Sequence, residues 1–175
     1  MNRKLDTDTQ VFFYEQEFYV LSNFSAFTLQ WRGFRFDTSE AAYHWEKFDF
    51  VPWADGEVRT IHNLIPKLAK KEDIQDAIRK APSAHEAFYV AQRNAEFVRP
   101  DWKEVRLNIM ENILQAKAEQ HEYVRRKLLE TGDRELVEDS WRDSYWGWGE
   151  DHKGQNMLGK LWMKVRDRLR EVPND

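Results

Sequence analysis

Hydrophobic and polar positions alternate with two different periods along the chain, and the change between them falls near residue 38. Val11-Phe12-Phe13-Tyr14 is a short aromatic run with strand character. Phe27-Thr28-Leu29-Gln30-Trp31 and Phe34-Arg35-Phe36 flank Arg32-Gly33, a pattern that predicts a small hairpin with Gly33 at positive φ. From Thr38 onward the spacing turns helical and mostly remains so. Asp37 stands three residues before Glu40, Ser83 three before Glu86 and Asp101 three before Glu104, each an N-capping arrangement. Pro82 and Pro100 interrupt what precedes two of these starts. Residues 101–120 place Val105, Ile109, Ile113 and Ala116 on one face. Val124, Leu128 and Leu129 continue in a further helix that Gly132 closes. Leu158, Leu161, Trp162, Val165 and Leu169 form the core-facing stripe of a last helix. The expected fold is mainly α, a single compact helical domain over residues 1–175 with a small N-terminal β element. Its core spans about residues 11–171, and residues 1–9 are expected to fray.

Composition narrows the function classes. Hydrophobic residues make up 41% of the 175, and eight tryptophans are present, which supports a packed core and argues against disorder. The absence of cysteine removes disulfides, thiolate catalysis and cysteine-ligated zinc. The five histidines (44, 62, 85, 121 and 152) make no close pair at ligand spacing, so no metal and no cofactor is expected. A net charge of −4 gives no general attraction to nucleic acid, although it does not locate charge. The charged start leads into no apolar run of signal-peptide length, and no stretch reaches the ~20 apolar residues of a membrane span. The expectation is a cytoplasmic protein with no membrane partner.

Two segments carry candidate chemistry. In the first, residues 38–48, Glu40, Tyr43, His44 and Lys47 fall on one helical stripe, with Ala41, Trp45 and Phe48 on the neighbouring apolar one. A carboxylate beside an aromatic ring and an ammonium suits glycosidic cleavage. Positive charge grows at the anomeric carbon in that transition state, and a carboxylate can stabilise it or activate water. A lysine can hold a phosphate or, when desolvated, attack an opened sugar aldehyde. The same residues also suit an ordinary capped helix with a solvated Lys47. His44 reads as a half-buried or surface residue, and Glu46 projects away from the stripe with no assigned role.

The second segment runs Asp143-Ser144-Tyr145-Trp146-Gly147-Trp148-Gly149 and then Gly154-Gln155-Asn156-Met157-Leu158-Gly159. Four of the seven glycines lie between 147 and 159. Such a loop admits close backbone approach to a ligand, and the helix it enters, with Asn156 as the expected cap, would offer free N–H groups to a phosphate. Tyr145, Trp146 and Trp148 are candidates for stacking on a base, and Asp143 for a ribose hydroxyl or the leaving base. The plain alternative is a glycine-rich turn with core tryptophans. Gly159, inside a helix, suggests close backbone packing.

Taken in order, Leu21-Ser22-Asn23-Phe24, Thr38-Ser39-Glu40 through Lys47-Phe48, Arg99-Pro100-Asp101-Trp102 with Arg106, Ala116-Lys117, and Asp143 to Gly149 with Gly154, Asn156, Leu158 and Gly159 resemble the NADAR (YbiA-like) family over about residues 11–171. The resemblance implies a YbiA-like helical fold that binds ribosyl phosphates. It implies an N-glycosidase acting either on ribosylaminopyrimidine phosphates of the early riboflavin pathway or on ADP-ribose attached to guanine, with nucleic acid then a possible modified substrate. The roles it implies are Glu40, Lys47 and Asp143 as catalytic residues, and Asn23, Arg93, Trp102, Arg106, Tyr145, Trp146 and Gly147 as substrate-binding residues; Tyr43 of the helical stripe and Asn156 of the glycine loop join them as substrate-binding candidates. Within that set Glu40 is the acid/base or charge-stabilising group, Lys47 the catalytic or phosphate-side cation, Arg93 and Arg106 phosphate ligands, and Trp146 a stacking wall.

The chain also departs from the family pattern. Ala41 stands where Ser-Glu-His is common, Gln92-Arg93 replaces Gly-Arg, and 51–57 reads as an insertion at the mouth of the site. The acidic balance favours a small metabolite. A non-catalytic module for ADP-ribose or NAD-like ligands is the alternative function. A third is an interaction domain using Arg125, Arg126, Arg166, Arg168 and Arg170, which read instead as solvated helix faces. The expected site requires the residue 40–47 stripe and the tryptophan-glycine turn to serve one pocket.

Overall fold

The structure is a computed structural model that describes residues 6–14, 17–49 and 61–171, with side chains from 70 onward in the last span. The 51–57 insertion lies outside the described residues. The chain forms two compact units, residues 28–113 and residues 1–27 with 114–175. Among the described residues there are six α-helices and four short strands, so the mainly helical expectation holds.

The 28–113 unit begins with the predicted hairpin. Strands β2 (Leu29–Trp31) and β3 (Phe34–Phe36) pair antiparallel, with Leu29 opposite Phe36 and Trp31 opposite Phe34. Arg32 and Gly33 have φ of 52° and 84°. Positive φ at both central residues matches the twist of a tight hairpin, and Gly33 adopts it without steric penalty. Arg32 is held there by Glu46: its Nε lies 3.1 Å from Glu46 Oε1, which also accepts Trp31 Nε1–H at 2.5 Å. Glu46, expected to have no role, is fully buried and fastens the hairpin to helix α1 (Ser39–Glu46). Phe34 and Phe36 meet Trp45 of the same helix.

Helix α1 starts one residue later than the capping pattern suggested. Thr38, in extended conformation, accepts the Ala41 N–H at 3.2 Å, while exposed Asp37 faces Arg35. Helix α2 (Ile61–Arg79) packs against α1 and α3 (Ala84–Arg93). Ser83 caps α3 as expected, and its buried Ala84, Ala87 and Ala91 form a small-residue stripe that allows close helix contact. Helix α4 (Trp102–Gln120) follows a clamp in which the Arg99 guanidinium grips Asp101 at 2.6 and 2.8 Å. The Asp101 side chain is therefore engaged with Arg99. The buried stripe of α4 is Ile109, Met110, Ile113, Leu114, Lys117 and Ala118, rotated from the predicted face, with Val105 and Ala116 only half-buried.

In the other unit β1 (Gln10–Phe13) pairs in parallel with β4 (Glu135–Glu138), Val11 opposite Leu136 and Phe13 opposite Glu138. Parallel strands covered on both faces lack alternation, which is why Glu135-Leu136-Val137-Glu138 was not legible as a strand. Residues 6–9, expected to fray, are tied to β1. Asp6 accepts the Phe12 N–H at 2.9 Å and Thr7 Oγ1 accepts that of Gln10 at 2.9 Å. Helix α5 (Glu122–Glu130) ends at Gly132, where φ is 58°. Helix α6 (Met157–Glu171) lies on β4 through the predicted stripe, Trp162 being fully buried. Arg166, read as solvated, is buried, and its Nη1 donates to Thr131 Oγ1 and the Arg134 carbonyl, both at 2.8 Å. It thereby closes the turn after α5.

The contact between α6 and β4 is so close that a Cβ on Gly159 would stand 2.0 Å from the Leu136 carbonyl oxygen. Helix propensity alone favours alanine there by about 1 kcal/mol. Because the obstacle is backbone, Gly159→Ala is expected instead to destabilise by about 2 kcal/mol or more. A lowered urea midpoint with an unchanged slope checks this; a midpoint at or above that of the parent would contradict it.

Candidate functional site

The first candidate group is built on α1 and the start of α4. Glu40 Oε1 and His44 Nε2 are 2.8 Å apart, one helical turn separating them, and the two side chains are 12% and 4% exposed. His44 Nδ1 is buried with no hydrogen-bond partner among the described residues. A proton on Nδ1 would have no acceptor, so the arrangement favours Nε2–H donating to the carboxylate. His44 is thus buried and orients Glu40, contrary to the surface reading. Its ring is packed edge-on against Phe88 and Tyr43. Glu40 retains a partly open surface, as a group that meets a ligand requires.

Lys47 follows two turns on. Its Nζ lies 5.3 Å from the Tyr43 ring centroid and 5.7 Å from that of Trp102, two rings that themselves meet at 4.9 Å. Burial lowers the Lys47 pKa to about 8; the Glu40 carboxylate opposes this and the Arg106 guanidinium adds to it. The backbone is pinned as well, since the Arg99 N–H donates to the Lys47 carbonyl at 2.8 Å. Five of the expected residues, Glu40, Tyr43, Lys47, Trp102 and Arg106, therefore share one electrostatic and aromatic neighbourhood. Arg93 is exposed in the last turn of α3 and enters none of these contacts.

The second candidate group lies in the other unit. Asp143 Oδ1 accepts the N–H groups of Tyr145 and Trp146, both at 2.8 Å, and so folds the tryptophan turn. The half-buried rings of Tyr145 and Trp146 meet edge to face at 5.1 Å. Trp148 does not match its expected stacking role: His152 covers it at 4.1 Å, Phe12 packs on it at 4.9 Å, and its Nε1 donates to Asp139. Gly147 is required by space, because a Cβ there would come within 2.9 Å of the Glu138 carbonyl oxygen.

Asn156 differs from the expected helix cap. Its side chain completes β4, Oδ1 accepting the Glu138 N–H at 3.0 Å and Nδ2 donating to the Leu136 carbonyl at 2.8 Å. The N–H groups of Met157 and Leu158 go to the carbonyls of Tyr145 and Trp146. These first donors of α6 are spent within the loop instead of facing a phosphate. Asn23 is buried in a turn of residues 22–25.

Lys117 lies in neither candidate segment. It is fully buried, donates to the Ser22 carbonyl and Ser25 Oγ, and has a pKa lowered to about 7 by burial, against the opposing effect of Glu138. The signal available in the sequence was a lysine at the position where the α4 stripe Met110, Ile113, Leu114 calls for an apolar residue. Among the described residues no group of three histidine or carboxylate side chains is arranged to hold a metal, and no helix is long and apolar enough to cross a membrane.

Comparison with known proteins gives a consistent picture. Residues 12–170 match the NADAR domain. The chain is 31% identical over 163 residues to a riboflavin biosynthesis protein of Vibrio vulnificus (strain YJ016), a match covering 92% of this chain and 39% of that protein, so the chain spans well under half of that relative. It is 30% identical over 164 residues to the N-glycosidase YbiA of Escherichia coli (strain K12), covering 93% and 89% of the two chains. The NMR structure of E. coli YbiA superposes with a TM-score of 0.74 at 30% identity, covering 97% and 92%.

Both lysines bind protons less tightly when folded than the ordinary 10.5. The unfolded chain therefore holds more protons between the two values, and stability rises with pH, from about 7 for Lys117 and about 8 for Lys47, up to about 10.5. Urea midpoints at pH 7 and pH 9.5 are expected to rise more in the parent than in Lys117→Met. Parallel changes in the two proteins would rule out the lowered value.

Proposed function

The chain belongs to the NADAR domain family, and from that membership we propose that it is an N-glycosidase that hydrolyses the bond between a base-side nitrogen and the anomeric carbon of a ribosyl phosphate. The observation that carries this is the α1 group: a carboxylate oriented by a buried histidine, two helical turns from an ammonium over the Tyr43 and Trp102 rings. Glu40 stabilises the oxocarbenium-like charge or activates the attacking water. Lys47 and Arg106 hold the phosphate, and Trp102 and Tyr43 wall the sugar. The roles of Asp143 and Asn23 at hydroxyl or base atoms and of Trp146 in stacking are carried over from the family pattern, these residues belonging to the other unit. Arg93, exposed at the end of α3, serves as an outer phosphate contact. Gly147 and Asn156 shape the turn that presents these groups.

The favoured substrate is a ribosylaminopyrimidine phosphate. The net charge of −4 suits a small metabolite better than a modified nucleic acid, and one relative carries the name of a riboflavin biosynthesis protein. Incubation with that compound and, separately, with DNA carrying ADP-ribosylated guanine tests the choice. Release of ribose 5-phosphate is expected; release of ADP-ribose alone would move the substrate to the modified base. Binding of both without release of either would make the protein a ligand-binding module.

Glu40→Gln is expected to lower kcat about 10²–10⁴-fold with little change in KM. Unchanged turnover would remove Glu40 from the chemistry. For Lys47 as phosphate-side cation, KM is expected to rise as pH passes above about 8, where the ammonium is lost. The cation reading fails if instead kcat rises through that pH and borohydride traps the sugar on Lys47.

A further inference from the structure

Helix α4 carries into the 1–27/114–175 unit a buried stripe of Leu114, Lys117 and Ala118, each fully buried. An apolar side chain would fill the position of Lys117 without the cost of desolvating an ammonium. A lysine there needs partners, and it has them. Nζ donates to the Ser22 carbonyl at 2.9 Å and to Ser25 Oγ at 2.7 Å, and it faces the rings of Phe27 at 5.4 Å and Trp162 at 5.9 Å.

The Ser22 and Ser25 contacts lie at the two ends of one tight turn. Ser25 Oγ–H donates back to the Ser22 carbonyl at 2.7 Å, and the Ser25 N–H reaches the same oxygen at 3.2 Å. Just before this turn, Trp162 Nε1–H holds the Leu21 carbonyl at 2.7 Å. The turn encloses Asn23, buried, and Phe24, 41% exposed.

On its other side Lys117 feels the carboxylate of buried Glu138. Glu138 roots the tryptophan-glycine loop: its carbonyl accepts the Trp148 N–H at 3.3 Å and its N–H donates to Asn156. One buried lysine thus faces both the Asn23 turn and the base of the loop that carries Asp143 and Trp146. Directed donors to a carbonyl and a hydroxyl fix the geometry of a turn in a way that apolar packing does not.

We propose that Lys117 is a positioning residue, holding the Ser22–Ser25 turn in the form that lets Asn23 bind the ribosyl phosphate. It acts through Asn23 and does not itself meet the substrate. The proposal rests on the N-glycosidase reading above, and the experiment separates the two.

Kinetics of ribose 5-phosphate release from the ribosylaminopyrimidine phosphate are measured for the full chain, Lys117→Met, Asn23→Ala and the double variant, each checked for folding by thermal melting. Lys117→Met is expected to raise KM about tenfold, the loss of about one hydrogen bond to the ligand, with kcat changed less than threefold. The double variant is expected to be no worse than Asn23→Ala, because both changes remove the same contact. Lys117→Arg is expected to recover part of the loss.

Additive effects of the two substitutions, or an unchanged KM in a folded Lys117→Met protein, would overturn the proposal. Should Lys117→Met not fold, Ser25→Ala removes the acceptor and must show the same non-additivity with Asn23→Ala. A parent that releases no ribose 5-phosphate but binds it in a calorimetric titration defeats the enzyme reading alone, and the cycle is then read in Kd. A parent that neither releases nor binds it defeats both.

Discussion

The placement of the Lys47 ammonium is the constraint on which the proposed chemistry depends. Burial against Tyr43 and Trp102 strips water from a charge, and its cost shows as the lowered pKa. Ring faces and the Glu40 carboxylate return part of that loss. A cation held in this way is stiff, poorly hydrated and ready for an anion. Everything around it keeps it so. Thr38 fixes the start of α1, Glu46 locks the hairpin to the end of the helix, and the Arg99 N–H holds the Lys47 carbonyl. Arg99 in turn grips Asp101 and sets the start of α4, which brings Trp102 and Arg106 to the group.

The other unit solves a different problem, how to hold a long loop rigid without regular structure. Its donors and acceptors are used internally. Asp143 takes the Tyr145 and Trp146 N–H groups, Asn156 completes β4, and the first N–H groups of α6 return to the carbonyls of Tyr145 and Trp146. Glycines at 147 and 159 let backbone touch backbone. The result is a turn whose half-buried aromatic side chains are preset by a backbone whose groups bond within the loop.

Much of the architecture was legible because it rests on local rules. The hairpin followed from Arg32-Gly33 between aromatic runs, α3 from the Ser83 cap, and α6 from its apolar spacing. The choice of Thr38 over its neighbour Asp37 as the cap is a local one, made by the extended chain at 38. Features set by distant partners were not legible. β4 gave no signal because a buried parallel strand has no alternation. The α4 face was misplaced because its buried stripe includes Lys117, a charged residue where the spacing calls for an apolar one.

The grouping of the candidate residues was legible in part. The α1 stripe of Glu40, Tyr43 and Lys47 came from helical spacing, and Trp102 and Arg106 came from the family pattern. The role of His44 was missed because a histidine four residues after a glutamate is common on exposed helices, and only the packing of Phe88 and Tyr43 reveals its burial. Glu46 and Lys117 were missed for the same reason. Their partners lie 14–15 and 92–95 residues away in sequence.

The most direct test follows the charge of Lys47 itself. Its side-chain methylene beside Nζ, labelled with ¹³C and assigned by comparison with a Lys47→Arg sample, reports protonation as pH is raised. The account predicts a midpoint near 8 in the free protein, a lower one in Glu40→Gln, where the opposing carboxylate charge is gone, and a higher one with ribose 5-phosphate bound. A midpoint near 10.5, indifferent to both Glu40 and the sugar phosphate, would contradict it.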